Sequence, residues 1–170
     1  MSTVLTQATT SELDDFVNLS AILTGIAASM LKPFLDTHGT AQTYLDIAKQ
    51  KGGAALTELM AVYDANRTQP PANIGTIILE QSGDTVAYMA KSIMLLWYLA
   101  CWYDPQELAA YRADPTNGAR FTVVSSDAYT QGWVWRVGQT HPMGYSTWSF
   151  GYWHQPPQPL SAFIGGGNSK

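Results

Sequence analysis

Charge is what this chain has least of. Its 170 residues carry 9 basic and 13 acidic side chains, so 13% are charged, where a soluble domain usually has roughly 25%. A protein that works alone normally covers itself with charge. A shortage suggests that part of the surface is covered by a partner in the working state, although a polar, uncharged surface of Thr, Ser, Gln and Asn would also satisfy water. The net charge of −4, with no basic cluster, argues against nucleic acid and against an anionic membrane surface. One cysteine, Cys101, excludes an internal disulfide and leaves the redox compartment open. Between Ala100 and Trp102 it reads as a buried, inert thiol on an apolar helix. No apolar run approaches the roughly 18 residues of a membrane span, and the longest, Ser92 to Tyr103, reads as a buried helix. The first residues hold no twin arginine, no basic stretch and no apolar stretch before a cleavage site, so no export address is visible.

Catalytic signatures are equally scarce. No Gly-x-Gly-x-x-Gly follows a strand, and there is neither a phosphate-binding loop nor a nucleophile elbow. Gly165 to Gly167 sit near the last residue and open no helix. His38, His141 and His154 follow no metal-ligand spacing. His141 and His154 could converge with Asp127 as an acid–base group, but His141 precedes a proline, where a hydrogen-bonded structural role is commoner. Paired acids such as Asp14 and Asp15 fit a helix start without any catalytic duty. We expect no catalytic, cofactor-binding or metal-binding residue in this chain.

What the chain does have is aromatic surface. From Ser126 to Pro159 it carries four of its six tryptophans (Trp133, Trp135, Trp148, Trp153), with Tyr129, Tyr145, Phe150 and Tyr152 among them. Asp127 and Arg136 are the only formal charges in this stretch. Large rings gain strongly on leaving water, so the stretch either wraps the protein's own core or meets another protein. A stacking platform for sugars or flat cofactors is the rarer use, and with no basic residues interleaved, stacking on nucleic acid is disfavoured.

Hydrophobic spacing along the rest predicts helices. Residues 1–9 read as a loose, threonine-rich lead-in. Ser11-Glu12-Leu13-Asp14 fits a capping pattern, followed by Leu13, Phe16, Val17, Ser20 and Leu23 at helical spacing up to Gly25. A further turn or more fits Ile26 to Leu35, where Pro33 restricts the backbone. His38-Gly39 marks a break, and Thr40 can cap a helix bearing Ala41, Tyr44, Leu45, Ile47 and Ala48 that Gly52-Gly53 stops. Another follows over Ala54 to Ala65, then a linker from Arg67 to Asn73. Ile74 to Gln81 fits either helix or strand. The strongest helix spans about Asp84 to Trp102, with Met89, Ile93, Leu96, Trp97 and Ala100 on one side and Leu95, Tyr98, Leu99 and Trp102 on the other. A helix apolar nearly all round belongs at the centre of a bundle. Asp104-Pro105 restarts a helix to Ala113, Asp114 to Gly118 turns, and Phe121 to Val124 is a short strand or strut. Ser125 or Ser126 caps a helix to about Val137, and everything after Gly138 is extended and irregular. The fold class is all-α: a compact irregular helical bundle over residues 10–160 with a long aromatic C-terminal wrap, and a flexible tail at 161–170.

Three stretches carry a resemblance. They are Phe16-Val17-Asn18-Leu19-Ser20-Ala21-Ile22-Leu23-Thr24-Gly25, then Leu95-Leu96-Trp97-Tyr98, and the segment from Tyr129 closing on Gly151-Tyr152-Trp153-His154-Gln155-Pro156-Pro157. Their order and spacing, over about residues 13 to 160, resemble the small subunit of bacterial membrane-bound FAD-dependent sugar and polyol dehydrogenases, those of sorbitol, fructose and glucose among them. The resemblance implies a helical accessory subunit without catalytic residues of its own. It would bind, stabilise and help mature a large flavoprotein of the glucose–methanol–choline type, which carries the FAD, with a multihaem cytochrome c as a third subunit in some complexes. It also implies a periplasmic, membrane-associated complex. Such small subunits usually supply a twin-arginine signal, which is missing here, so the address would lie on the partner or on a removed segment; a chain acting alone would stay in the cytoplasm. Some relatives have a cysteine shortly before the Tyr-Trp motif that ties the two subunits together. Here that region reads Thr140-His141-Pro142-Met143-Gly144-Tyr145, which implies noncovalent association. Tyr145, Trp148, Phe150, Tyr152 and Trp153 are the expected interface residues, while Leu19, Leu23, Trp97 and Tyr98 are assigned to the core. The competing reading is a stand-alone helical protein that binds a small ligand or carbohydrate.

Overall fold

The computed structural model describes residues 3–142 together with Pro156 and Pro159. In order, it builds α1 (Thr3–Thr24), α2 (Ala28–Leu31), α3 (Thr40–Asn66), α4 (Pro71–Thr76) continuing into a π-helical turn at Ile77–Gln81, α5 (Asp84–Leu99), β1 (Cys101–Tyr103), α6 (Pro105–Ala113), β2 (Phe121–Val123), α7 (Ser126–Gln131) and α8 (Trp133–Val137). The chain is all-α, as its periodicity predicts. The aromatic wrap beyond Pro142 and the tail at 161–170 lie outside the described residues apart from those two prolines.

The core forms where three apolar stripes meet. From α1 come Phe16, Leu19 and Leu23, from α3 Tyr44, Ala48 and Leu59, and from α5 Met89, Ile93, Leu96 and Trp97, all buried. Edge-to-face packing of Tyr44 on Trp97, with centroids 4.8 Å apart, places the rings in their favoured geometry. Around the rim, ion pairs fasten α1 to its neighbours: Lys49 Nζ to Glu12 at 2.9 Å, Lys32 Nζ to Asp14 at 2.6 Å, and Arg67 to Asp15 at 3.2 Å.

Local chemistry explains most boundaries. Asp104 caps α6 as predicted, its carboxylate accepting from Gln106 N at 2.8 Å, with Pro105 in the first turn where no amide hydrogen is needed. Ser125, the first of the two serines proposed, caps α7 by accepting from Ala128 N at 3.0 Å. The predicted helix to Val137 is broken at Gly132, where a Cβ would meet the Tyr98 carbonyl oxygen at 2.9 Å. Close approach to α5 therefore splits the segment into α7 and α8.

Several expectations are corrected. α1 begins at Thr3, drawing in residues read as a loose lead-in, so Ser11 falls inside the helix rather than capping it; no glycine or proline interrupts before Gly25. Gly39, not Thr40, is the cap residue of α3. Gly52-Gly53 does not end that helix. Gly53 adopts φ 49°, ψ −122° and kinks it, after which the helix resumes. The linker shortens to 67–70 because Pro71 opens α4. The ambiguous Ile74–Gln81 is helical, and its widened turn is closed by Ser82 Oγ donating to the Ile77 carbonyl at 2.8 Å. α5 stops at Leu99 rather than Trp102, because Ala100 takes a left-handed conformation (φ 52°). The β-prone Cys101-Trp102-Tyr103 then pairs antiparallel with Phe121–Val123, in the register Trp102 opposite Thr122. Cys101 is thus a buried strand residue, and burial raises its thiol pKa.

Leu96→Ala should destabilise the chain by about 2–5 kcal/mol, read as a lower urea midpoint. Gly53→Ala should cost about 1–3 kcal/mol, because a Cβ is strained at that backbone geometry. An unchanged midpoint for Gly53→Ala would mean that the kink is not needed for the packing of α3.

Candidate functional site: an apolar loop tip pinned at both ends

Between α2 and α3 the chain turns through Lys32-Pro33-Phe34-Leu35-Asp36-Thr37-His38-Gly39. Leu31 is buried and anchors the start, and Pro33 prevents α2 from continuing. Phe34 and Leu35 then face solvent at 102% and 78% of their full exposure. Both sides of the loop are fastened to the body. Lys32 Nζ meets Asp14 of α1 at 2.6 Å, and His38 Nδ1 meets Asp127 of α7 at 2.9 Å. Behind the tip lies a cavity of about 270 Å³ lined by Leu35, Asp36, His38, Trp97, Trp133 and Arg136.

Full exposure of a phenylalanine forgoes about 1.5–3 kcal/mol that burial would return, and a leucine a similar amount. Scattered surface apolars need no explanation, but two adjacent ones at the tip of a fastened loop form a contact point that is already ordered. Binding through it would cost little conformational entropy. Helical spacing places Leu35 at the end of the turn or more that starts at Ile26, whereas α2 covers only Ala28–Leu31 and Leu35 stands on this exposed tip. The available signal was Pro33 ahead of two large apolar residues that have no helical partner before the His38-Gly39 break.

The interface residues expected from sequence, Tyr145, Trp148, Phe150, Tyr152 and Trp153, lie outside the described residues, as does His154. Tyr129, Trp133 and Trp135, the described aromatic residues of that same stretch, make ring contacts within the chain itself. Trp133 is buried with the Arg136 guanidinium 4.8 Å from its ring centroid. Tyr129 and Trp135 form an edge-to-face pair at 5.1 Å, and Trp135 Nε1 donates to the Tyr129 carbonyl at 2.7 Å. Leu19, Leu23 and Trp97 are core residues as expected. Tyr98 is only half-buried, its hydroxyl donating to the Thr24 carbonyl at 2.8 Å and so tying α5 to the end of α1.

Of the acid–base group considered from sequence, Asp127 is engaged by His38, a residue that reading did not pair with it. His141 Nδ1 lies 3.0 Å from the Pro142 carbonyl. The His38 and Asp127 side chains are 44% and 64% exposed, the setting of a fastening pair rather than of a shielded proton-transfer site. Among the described residues, no three His, Cys, Asp or Glu side chains gather as a metal site, and no helix is long and apolar enough to cross a membrane.

Compared with known proteins, the chain matches no family model, no curated protein and no solved structure.

A double-mutant cycle on His38→Ala and Asp127→Ala should return a coupling of no more than about 1 kcal/mol, read from urea unfolding at a pH where the imidazole is charged. A coupling of several kcal/mol would contradict the exposed-fastener reading.

Proposed function

We propose that this chain is a non-catalytic accessory subunit that binds and stabilises the large FAD-containing subunit of a sugar or polyol dehydrogenase. The observation that carries the reading is the pinned apolar tip, with Phe34 and Leu35 held out in water on a chain of which only 13% is charged. The three stretches that resemble the small-subunit family support it. In the first, Phe16, Leu19 and Leu23 supply core and Thr24-Gly25 ends α1; in the second, Leu96 and Trp97 are buried. Those two stretches thus act as scaffold, and an accessory subunit needs a scaffold that presents apolar surface to its partner. FAD belongs to the partner in this reading, and a multihaem cytochrome c would be a third component.

The role of the tip is to act as a hot spot: a preordered ring and its aliphatic neighbour seated in an apolar pocket of the flavoprotein. Tyr145, Trp148, Phe150, Tyr152 and Trp153 are the proposed remainder of the interface.

The test is to purify the tagged full chain from its native source and record an absorbance spectrum. A flavin spectrum with a larger co-purifying chain is the expected result. Phe34→Ser with Leu35→Ser should lower the recovered flavin tenfold or more while leaving the melting curve of the isolated chain in place, since both side chains are exposed. A colourless, monodisperse monomer would overturn the reading in favour of a stand-alone binder.

A further inference from the structure

The second apolar side of α5, expected to be covered, instead forms the wall of a groove. Met94, Leu95 and Leu99 of α5 face Leu108 of α6 across a trough of about 630 Å³, with Lys91 and Arg112 also lining it. Its α5 wall runs from Tyr88 to Leu99, about 16 Å or three helical turns at the α-helical rise. Residues 91, 95 and 99 succeed one another along that wall at the four-residue spacing of a helix ridge, which leaves hollows suited to side chains from a second helix.

The charge in this groove is one-signed. Two cations line it and no carboxylate does, although the whole chain carries −4. Lys91 Nζ rests 4.4 Å from the Tyr88 ring centroid. Among the described residues, neither Lys91 nor Arg112 is in an ion pair, whereas Lys32, Lys49 and Arg67 each hold an acid. An occupant with an apolar stripe and flanking carboxylates would complete both features.

Neither the C-terminal sequence of the chain nor the acid cluster of α1 supplies such an occupant. Residues 143–170 contain no Asp or Glu, so its own C-terminal sequence offers no anionic side chain. In a second copy, the acid cluster Glu12, Asp14 and Asp15 on α1 is already engaged by Lys49, Lys32 and Arg67. The groove is an open trough rather than an enclosed pocket, and a small amphiphile normally buries about 70–90% of its surface in its site. A helix laid along a trough needs only one face covered.

We propose that the α5/α6 groove docks an amphipathic helix of a partner protein, about three turns long, apolar on the docked face and acidic on both flanks. That the helix belongs to the flavoprotein rests on the accessory-subunit reading; the preference of the groove for acidic flanks does not.

The probes are two synthetic helical peptides of about 14 residues, roughly 21 Å long. They share one leucine stripe and differ in having glutamate or lysine flanks. Their binding to the full chain is read by fluorescence anisotropy. The glutamate peptide should bind about tenfold tighter than the lysine peptide, and the ranking should reverse in the Lys91→Glu/Arg112→Glu variant. Leu95→Asp should weaken both peptides, and melting curves check that each variant is folded. Equal binding, no binding, or an unchanged ranking in the charge-reversed variant overturns the proposal. So does dodecanoate binding without peptide binding, which would make the groove a small-amphiphile site. A dimer of the chain that the charge reversal splits would make the occupant a second copy and also overturn it. Glutamate preference in a chain that recovers no flavin retains the groove and removes the accessory reading. Flavin recovery with equal peptide binding does the opposite.

Discussion

The burial of one face of α5 against α1 and α3 is the constraint on which the other elements depend. Val86, Met89, Ile93, Leu96 and Trp97 leave almost no surface to water, and each neighbouring helix is placed by what it adds to that face. The packing carries a cost. Ser20 Oγ, Tyr44 Oη and Trp97 Nε1 are buried without a hydrogen-bond partner among the described residues, and a buried polar group left unpaired costs about 1–3 kcal/mol. Burial, with Cys101 adding to it, pushes the Tyr44 phenol well above its usual pKa, so it stays neutral. The core tolerates the two on Tyr44 and Trp97 because the rings that carry them are among its largest fully buried side chains.

With α5 fixed, the remaining elements follow the geometry of its two ends. Its C-terminal end turns sharply at Ala100 into β1, which gives β2 a strand to pair with and sends α6 back along α5. That return creates the groove, since α6 covers one edge of α5 and leaves Leu95 and Leu99 only partly covered. On another side, α7 and α8 reach α5 through Gly132, at the distance where only a hydrogen fits. From there Asp127 engages His38 and fastens the loop that exposes Phe34 and Leu35. The exposed tip and the cationic groove are thus both consequences of how α5 is clothed, and both suit a protein that works against another.

Much of this was legible in the sequence. The stripes of α1, α3 and α5 were readable because burial of one helix face imposes a period of about 3.6 residues. Asp104-Pro105 and Ser125 were readable as caps, because a short polar side chain before a helix has one dominant way to bond with the first amides. The fate of Cys101-Trp102-Tyr103 was not. Three apolar residues continue a helical stripe as well as they begin a strand, and the choice fell to a pairing with residues about twenty positions later. The His38–Asp127 pair spans 89 positions, a separation for which local spacing holds no signal.

The sequence by itself determined that the chain is helical, where most helices lie, which residues fill the core, and that charge is too sparse to cover the surface. Those properties follow from composition and from periodicities that act over a few residues. Tertiary structure alone decided which apolar residues stay uncovered. Leu99 and Leu96 are equally hydrophobic and three positions apart, yet one lines an open groove and the other is fully buried. Exposure depends on which element arrives to cover a face, and that depends on contacts between residues far apart in the chain.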